Sequence, residues 1–207
     1  MGRGMKWGLA AVGLPAVLWF ARAGAACELP PPPDPAQVRA VYRVIPGPSR
    51  VRFDAKAFLH DFAGTTSRIE GTIRTGELDR LSNAEACVQI DASSLDTGNA
   101  TRDGIMRADH LETEKFPSIV LLLNAVDGVK HQAGTWEFTA RGTLSLHGVS
   151  RDIQLPVRAG QEGDTVHLTG QVPLRMTDYR IRIPRFLVFT VEDQVMVSFD
   201  LTARRAR

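Results

Sequence analysis

Residues 135–146 read Thr-Trp-Glu-Phe-Thr-Ala-Arg-Gly-Thr-Leu-Ser-Leu, with an apolar or small side chain at every second position. The positions of that parity are Trp136, Phe138, Ala140, Gly142, Leu144 and Leu146. Alternation of this length is typical of a β-strand with one face on a core and the other in water. His147-Gly148 then marks a tight turn, and residues 149–158 alternate in the same way.

The same pattern recurs along most of the chain. It is found near residues 51–59, 69–73, 86–90, 118–125, 166–174 and 195–201. About eight strands with one apolar face each are typical of an antiparallel sheet that is dry on one side. A twisted sheet of this size tends to close on itself, which removes its exposed edges. We therefore predict an all-β fold, an antiparallel eight-stranded barrel with one short inserted helix.

The longest interruption of the alternation lies within residues 93–120. Apolar residues recur there at helical spacing, which predicts one short helix over residues 99–111. Asp96 or Thr97 is expected to cap its start, because a side-chain oxygen can accept an orphan backbone N–H. Phe116 precedes a proline, which favours extended backbone and ends the segment. The residues predicted to form a lid over the barrel mouth are Ile105, Met106 and Phe116.

Small residues occupy several inward positions of the predicted strands. They are Ala55, Ala57, Gly71, Ala140, Gly142 and Gly170. An eight-stranded barrel is just wide enough to be filled by side chains or to hold one small ligand. Small inward residues therefore indicate an internal cavity, which a larger side chain at Ala140 or Gly142 is expected to obstruct. Strand glycines also mark bulges and bends, so this alternative stays open.

The first residues resemble an export signal. Arg3 and Lys6 precede an apolar run over residues 7–20, and Ala23-Gly24-Ala25 is an A-x-A cleavage pattern. The run is shorter than the roughly 20 residues that span a bilayer. We expect residues 1–25 to be a signal peptide for the periplasm. An uncleaved anchor and a lipoprotein signal remain alternatives.

The rest of the chain divides into a linker and one domain. A Pro-rich linker is predicted over residues 26–40 and the barrel over residues 41–207. The chain has 207 residues, 43% of them hydrophobic, and a formal net charge of +2, which suits one globular domain. No basic face is concentrated enough to indicate a nucleic-acid partner.

The chain has two cysteines, Cys27 and Cys87. Val88 and Ile90 share the inward face of their strand, so Cys87 is expected to face outward. Three alternatives stay open: a disulfide with Cys27 in a tail that wraps over the barrel, acylation of Cys27 in a lipoprotein, or two free thiols. Disulfides persist in oxidising compartments, which is where an exported protein would be. The spacing matches no metal motif, and no metal is expected.

The residues offer candidates for two functions, catalysis and the binding of another protein. The interruption carries polar candidates for catalysis, namely Asp96, Arg102, Asp103, Asp109, His110 and Glu114. Asp103 or Asp109 with His110 forms a candidate acid–base pair. However, an arginine next to an aspartate, as in Arg102-Asp103, more often forms a structural ion pair. The sequence also contains no nucleophile-elbow, zinc-protease or phosphate-loop motif. The other four histidines are interpreted as surface residues, and we expect no catalysis.

A scaffold that binds another envelope protein is the second alternative. Residues 183–191 read Ile-Pro-Arg-Phe-Leu-Val-Phe-Thr-Val, which is hydrophobic on both parities of its central part. Such a run forms either an exposed patch for a partner or a buried final hairpin. The buried hairpin is the interpretation that we favour.

Several motifs, taken in order, resemble those of the YceI-like proteins, a bacterial family with a lipocalin-like barrel. They are Tyr42-Arg43-Val44, Phe62-Ala63-Gly64, Ser94-Leu95-Asp96-Thr97-Gly98, Arg102-Asp103, Phe116-Pro117-Ser118-Ile119, Gly142-Thr143-Leu144-Ser145-Leu146-His147-Gly148-Val149 and Thr177-Asp178-Tyr179. The chain departs from the family at Met176 and Arg180, where the family often has an arginine and a glycine.

The resemblance implies that an apolar isoprenoid, such as a polyprenyl chain or a quinone tail, is held inside the barrel. The partner is thus an isoprenoid lipid or quinone, and no cofactor is expected. Transient membrane contact and a homodimer are left open. The residues expected to bind the ligand are Phe53, Ala55, Leu59, Val88, Ile90, Met106, Phe116, Ile119, Leu121, Trp136, Phe138, Leu144 and Leu146.

Overall fold

A computed structural model describes residues 27–32, 34–77, 80–186 and 189–206, with the backbone alone at residues 185, 186 and 189. The predicted signal peptide lies outside the described residues. The hydrophobic run at residues 183–191 lies partly outside them, because residues 187 and 188 and several neighbouring side chains are not described.

The described residues form eleven β-strands. They are β1 (Ala40–Val44), β2 (Arg50–Ala57), β3 (Phe62–Thr66), β4 (Ile69–Thr75), β5 (Glu85–Asp91), β6 (Ser118–Gln132), β7 (Thr135–Leu146), β8 (Val149–Glu162), β9 (Thr165–Arg175), β10 (Arg185–Phe186) and β11 (Phe189–Arg205). Every pairing between them is antiparallel.

The strands close into a barrel. β1 and β2 both pair with the same edge of β11, one after the other. On their other side, β1 pairs with β4 and β2 pairs with β3. β1 and β2 therefore act together as one bent strand, as do β4 and β3, and β5 to β9 continue the sheet in chain order until β9 meets the other edge of β11. The predicted eight-stranded antiparallel barrel is confirmed, with β10 added as a short hairpin on β11.

The β7–β8 hairpin, from which the fold was predicted, is paired along its whole length. Its register runs from Thr135 opposite Gly160 to Leu146 opposite Val149. His147 and Gly148 have φ values of 51° and 71°. Two central residues with positive φ form the turn type whose twist matches that of antiparallel strands. The hairpin is thus fixed by its turn as well as by its alternation.

The predicted helix is present, but its cap differs from the prediction. Helix α1 covers Ala100–Ile105 and continues into one π-helical turn, Met106–His110. Asn99 is the cap, since its side chain accepts a hydrogen bond from the Arg102 N–H. Asp96 instead accepts from the Gly98 N–H, which makes a local turn before the helix begins.

The remaining helical turns are short. They are the 3₁₀ turns Pro35–Gln37, Ala92–Ser94 and Met176–Tyr179. Within the described part of the chain, no helix has the length and apolar character that crossing a membrane requires.

The segment before β1 is fastened to the outside of the barrel by a disulfide between Cys27 and Cys87. The two Cα atoms are 5.6 Å apart, and Cys87 is buried on the outward side of β5. The Asn83 side chain also donates to Gln37 at 2.7 Å. A sulfur in a disulfide cannot carry the thioether-linked lipid of a lipoprotein, so this structure contains the first of the three alternatives.

The disulfide is expected to stabilise the fold, because it closes a loop with a sequence separation of 60 residues. Replacing both cysteines by alanine should lower the free energy of unfolding by about 2–4 kcal/mol, measured by urea denaturation. The matched control is the wild type in a reductant, which should fall to the level of the variant. A wild-type midpoint that does not respond to the reductant would contradict the prediction.

Candidate functional site

The barrel encloses a cavity of about 840 Å³. Alternate residues of β7 other than Gly142 line it from Trp136 to Leu146, a length of about 33 Å along the strand. Its walls also include Phe53 of β2, Leu155 of β8 and Phe199 of β11, so side chains from opposite sides of the barrel face the same space. The cavity is therefore long, narrow and mostly apolar.

Twelve of the thirteen predicted ligand-binding residues line this cavity. They are Phe53, Ala55, Leu59, Val88, Ile90, Met106, Ile119, Leu121, Trp136, Phe138, Leu144 and Leu146. The lid residue Ile105 lines it as well. That these side chains contact a ligand remains a prediction.

Phe116 is the exception, because it packs beside the lid rather than over the cavity. Its ring centroid is 4.7 Å from that of His147. A Cβ at Gly148 would lie 2.5 Å from the Phe116 ring, so the glycine of the turn makes room for it. Phe116 was expected to belong to the lid and to bind the ligand, but its ring lies against the β7–β8 turn and does not line the cavity. That it contacts a ligand stays a prediction.

The small inward residues divide into two groups. Ala55, Ala57 and Ala140 line the cavity. Gly142 and Gly170 do not line it, because a Cβ at either position would meet a backbone carbonyl oxygen of the neighbouring strand. The distance would be 1.9 Å from Gly142 to Leu122 and 2.4 Å from Gly170 to Pro156. Gly71 is similar, with the Cys87 carbonyl at 2.7 Å. The alanines thus leave room for a ligand, whereas the glycines allow close strand contact. A larger side chain at Gly142 would first meet the β6 backbone, so Ala140 is the better position for obstructing the cavity.

Several lining residues were missed by the sequence analysis. They are, among others, Tyr42, Leu155, Val157, Tyr179, Ile181, Val197 and Phe199. The alternation had already placed Leu155, Val157, Val197 and Phe199 on the inward face, so the same rule could have found them. Tyr179 and Ile181 follow the end of β9, where no alternation identifies the inward side.

The two ends of the cavity differ. Strand directions bring α1, the β2–β3 loop and the β7–β8 turn to one end, which we call the mouth. Phe58, Leu59 and Ile105 are exposed there and also line the cavity. The other end, which we call the closed end, holds the buried cluster of Ala40, Tyr42 and Ala203.

Thr97 joins the two polar residues that begin the lid. The Arg102 guanidinium donates to the Thr97 hydroxyl at 2.8 Å and to its carbonyl oxygen at 3.0 Å. The Thr97 hydroxyl and N–H donate to one oxygen of buried Asp103 at 2.6 and 3.0 Å. Arg102 also lies 4.6 Å over the Phe62 ring. The interaction of Arg102 with Asp103 therefore runs through Thr97, and the three residues fix the start of α1.

These contacts decide the charge of Asp103. Burial alone raises the pKa of its carboxyl, but the hydrogen bonds from Thr97 and the nearby Arg107 outweigh burial, so the pKa is lowered. Asp103 thus stays ionised as a structural acceptor. His110, its partner in the candidate acid–base pair, contacts the Arg182 carbonyl oxygen through Nδ1 at 2.8 Å.

His147 connects the far side of the lid to the barrel. Its Nε2 lies 2.7 Å from Glu112, and its Nδ1 lies 3.0 Å from the Tyr179 carbonyl oxygen. The hydrogen bond from His147 lowers the pKa of Glu112.

The prediction that the four other histidines are surface residues is wrong for His147, whose side chain is only 8% exposed. His131 belongs to β6, where its ring stacks on that of Trp136 with the centroids 4.3 Å apart.

Comparison with known proteins identifies relatives of this architecture. Residues 42–203 match the model of the YceI-like domain. No curated protein sequence matches the chain. BcnA from Burkholderia cenocepacia has a similar structure, with a TM-score of 0.64 and 18% identity over 74% of this chain and 95% of that chain.

Two further structures are similar. A polyisoprenoid binding domain from Saccharophagus degradans, implicated in plant cell wall breakdown, gives a TM-score of 0.62 and 18% identity over 81% of this chain and 100% of that chain. A YceI protein from Campylobacter jejuni gives 0.56 and 17% over 70% and 84%. At these identities the likeness establishes the fold.

Removing the carboxylate of Asp103 is expected to loosen the lid. Asp103→Ala should lower the free energy of unfolding by about 1–3 kcal/mol, because two hydrogen bonds from Thr97 lose their acceptor. Asp103→Asn keeps an acceptor oxygen without the charge, so its loss should be smaller. Urea denaturation at pH 7 measures both.

The pH dependence of the free energy of unfolding separates the contribution of the Asp103 charge from that of its hydrogen bonds. Because the folded-state pKa of Asp103 is lowered, its charge stabilises the fold above the unfolded pKa of about 4. That contribution is lost as the pH falls through the folded value. The difference between wild type and Asp103→Asn should therefore shrink in acid, and a difference independent of pH would contradict this account.

Two similar substitutions test whether Gly142 is needed for the close contact between β6 and β7. Gly142→Ala should lower the free energy of unfolding by about 1–3 kcal/mol or more, since the new methyl group forces β6 and β7 apart. Gly160→Ala is the matched control, because nothing lies within 4 Å of its added Cβ, and it should change the free energy by no more than about 0.5 kcal/mol. Equal shifts of the two unfolding midpoints would show that strand contact is not what Gly142 provides.

Proposed function

The chain belongs to the YceI-like family, and from that premise we propose that its barrel binds a long apolar lipid of the isoprenoid class. A polyprenyl chain or the tail of an isoprenoid quinone has the required shape. The observation that carries the proposal is the long cavity of about 840 Å³ with apolar walls. The similarity to a polyisoprenoid binding domain supports the same ligand class.

Burial of hydrocarbon supplies the affinity in this mechanism. Each methylene group that moves from water into an apolar environment gains about 0.8 kcal/mol. Rings and aliphatic side chains such as Phe53, Phe138 and Leu144 offer surface along the whole cavity. No reacting group is needed for such binding, so we propose a binding protein and not an enzyme.

The polar residues at the mouth support this choice. Asp103 and Arg102 are engaged with Thr97, and His110 is engaged with the Arg182 carbonyl oxygen. Each of these contacts fixes backbone around α1. Among the candidates for acid–base chemistry, Asp103 and His110 thus have structural contacts that account for them.

Export to the periplasm is a further part of the proposal. It is supported by the signal-like residues 1–25 and by the disulfide, because disulfides persist in oxidising compartments. An exported carrier would take up its lipid outside the cytoplasm.

The proposal predicts that filling the cavity excludes the lipid. Ala140 is buried and lines the cavity, so Ala140→Phe should reduce retention of a co-purified or added isoprenoid by at least about tenfold, measured by native mass spectrometry. Gln154→Phe is the matched control, since it adds a phenyl ring to an exposed position of the neighbouring strand. It should leave lipid retention unchanged.

Stability distinguishes a filled cavity from a damaged fold. A phenyl ring that enters empty space should leave the unfolding midpoint of the lipid-free protein near the wild-type value, whereas overpacking of a solid core typically costs about 1–3 kcal/mol. Ala55→Leu provides a second variant on another wall of the cavity. If both folded variants retain the lipid as the wild type does, internal binding is refuted.

A further inference from the structure

One polar atom at the closed end of the cavity has no partner. Tyr42 is 3% exposed and lines the cavity. Its buried hydroxyl oxygen forms no hydrogen bond with any part of the chain that the structure describes. Buried polar groups without a partner are rare in folded proteins, because they lose their bonds to water and gain none. The hydroxyl is therefore placed to bind something that enters the cavity.

The environment of Tyr42 keeps this hydroxyl neutral. β1 places Tyr42 opposite Ile73 of β4, and Ala40 and Ala203 pack around it. Burial is the main cause that raises the pKa of Tyr42, with Asp164 adding to it and Arg205 opposing it. A neutral tyrosine hydroxyl both donates one hydrogen bond and accepts others. It can therefore bind either a hydroxyl or a carbonyl group.

The other polar side chains at the closed end are already engaged. Thr75 donates to the Ser82 carbonyl oxygen at 3.4 Å, and Gln161 donates to the Gly163 carbonyl oxygen at 2.9 Å. Glu85 forms an ion pair with Arg74. All three residues line the cavity, so Tyr42 differs from its polar neighbours in having no partner.

Charge limits the kind of group that fits beside Tyr42. Among the described residues, Glu85 is the charged side chain that lines the closed end. The cationic lining residues Arg102 and Arg175 belong to α1 and to the last residue of β9, both at the mouth. The Glu85 carboxylate is balanced by Arg74, and Arg205 and Asp164 act on Tyr42 with opposite signs, so no unbalanced cation of the described chain favours a phosphate at the closed end.

We propose that the Tyr42 hydroxyl binds a neutral oxygen-bearing group of the lipid, a hydroxyl or a carbonyl, at the closed end of the cavity. This assignment rests on the proposed function, because it orients the same lipid. The oxygen-bearing end lies deep in the barrel, and the hydrocarbon extends along β7 toward the mouth. The ligand class is then a prenyl alcohol or a prenylated carbonyl compound such as a quinone.

The test compares two probes that differ in one oxygen. Geranylgeraniol carries a terminal hydroxyl, and the matched probe is the hydrocarbon with the same carbon skeleton without it. Tyr42→Phe keeps the ring and removes only the hydroxyl. Its affinity for geranylgeraniol should fall by about 2- to 10-fold in a competition assay, while its affinity for the hydrocarbon stays within experimental error.

Tyr179→Phe is the matched control variant. Tyr179 is also 3% exposed and lines the cavity, but it follows β9 at the mouth. Its replacement should not affect the two probes differently. An alcohol-specific loss in Tyr179→Phe instead of Tyr42→Phe would place the oxygen at the mouth and overturn the assignment.

The remaining outcomes are equally decisive. Equal affinity of wild type and Tyr42→Phe for geranylgeraniol would mean that water satisfies the hydroxyl, and an equal loss for both probes would mean that Tyr42 only shapes the cavity. A wild-type preference for geranylgeranyl phosphate over the alcohol would refute a neutral group. Each of these results overturns the assignment but leaves lipid binding intact. Failure of wild type to bind either neutral probe or the phosphate would refute the proposed function itself.

Discussion

Closure of β1 onto β11 is the constraint on which the cavity depends. Tyr42 pairs with Arg205 and Val44 with Ala203, and these short ladders join the first strand to the last. Where the chain leaves β1 and enters β2, the buried Ser49 hydroxyl bonds to the backbone of Thr202 and continues the contact. Without this seam the inner face of the sheet would be open to water, and its apolar side chains would have to pack on one another.

The closed barrel keeps its interior open because small and large residues have separate positions. Alanines at 55, 57 and 140 stand beside the cavity, whereas Gly142 and Gly170 lie where strands approach closely. Close contact between the backbones of neighbouring strands tightens the barrel wall but places no side chain in the cavity. An empty apolar cavity lowers stability because its lining loses contacts that a packed core would have. A lipid in the cavity would restore those contacts, so binding and stability are coupled in this architecture.

The sequence predicts the faces of the strands well and the details of the mouth poorly. Period-two alternation records which side of a strand is buried, and it identified the walls from Phe53 to Leu146. The mouth is set by local hydrogen bonds instead. Asn99 rather than Asp96 caps α1, and the buried His147 side chain contacts Glu112, which is distant in sequence. Arg180, where the family often has glycine, adopts a φ of 57°. Alternation of apolar and polar residues along the sequence does not predict contacts of this kind.

Selectivity in such a barrel must come from its ends. Apolar walls bind any hydrocarbon that fits, since burial of methylene groups depends on area and not on identity. Polar groups that lack partners are the positions at which one lipid can be distinguished from another, because a site built to form a hydrogen bond rejects a ligand that cannot form it. The walls therefore set how tightly a chain is held, and the closed end and the mouth set which chain is held.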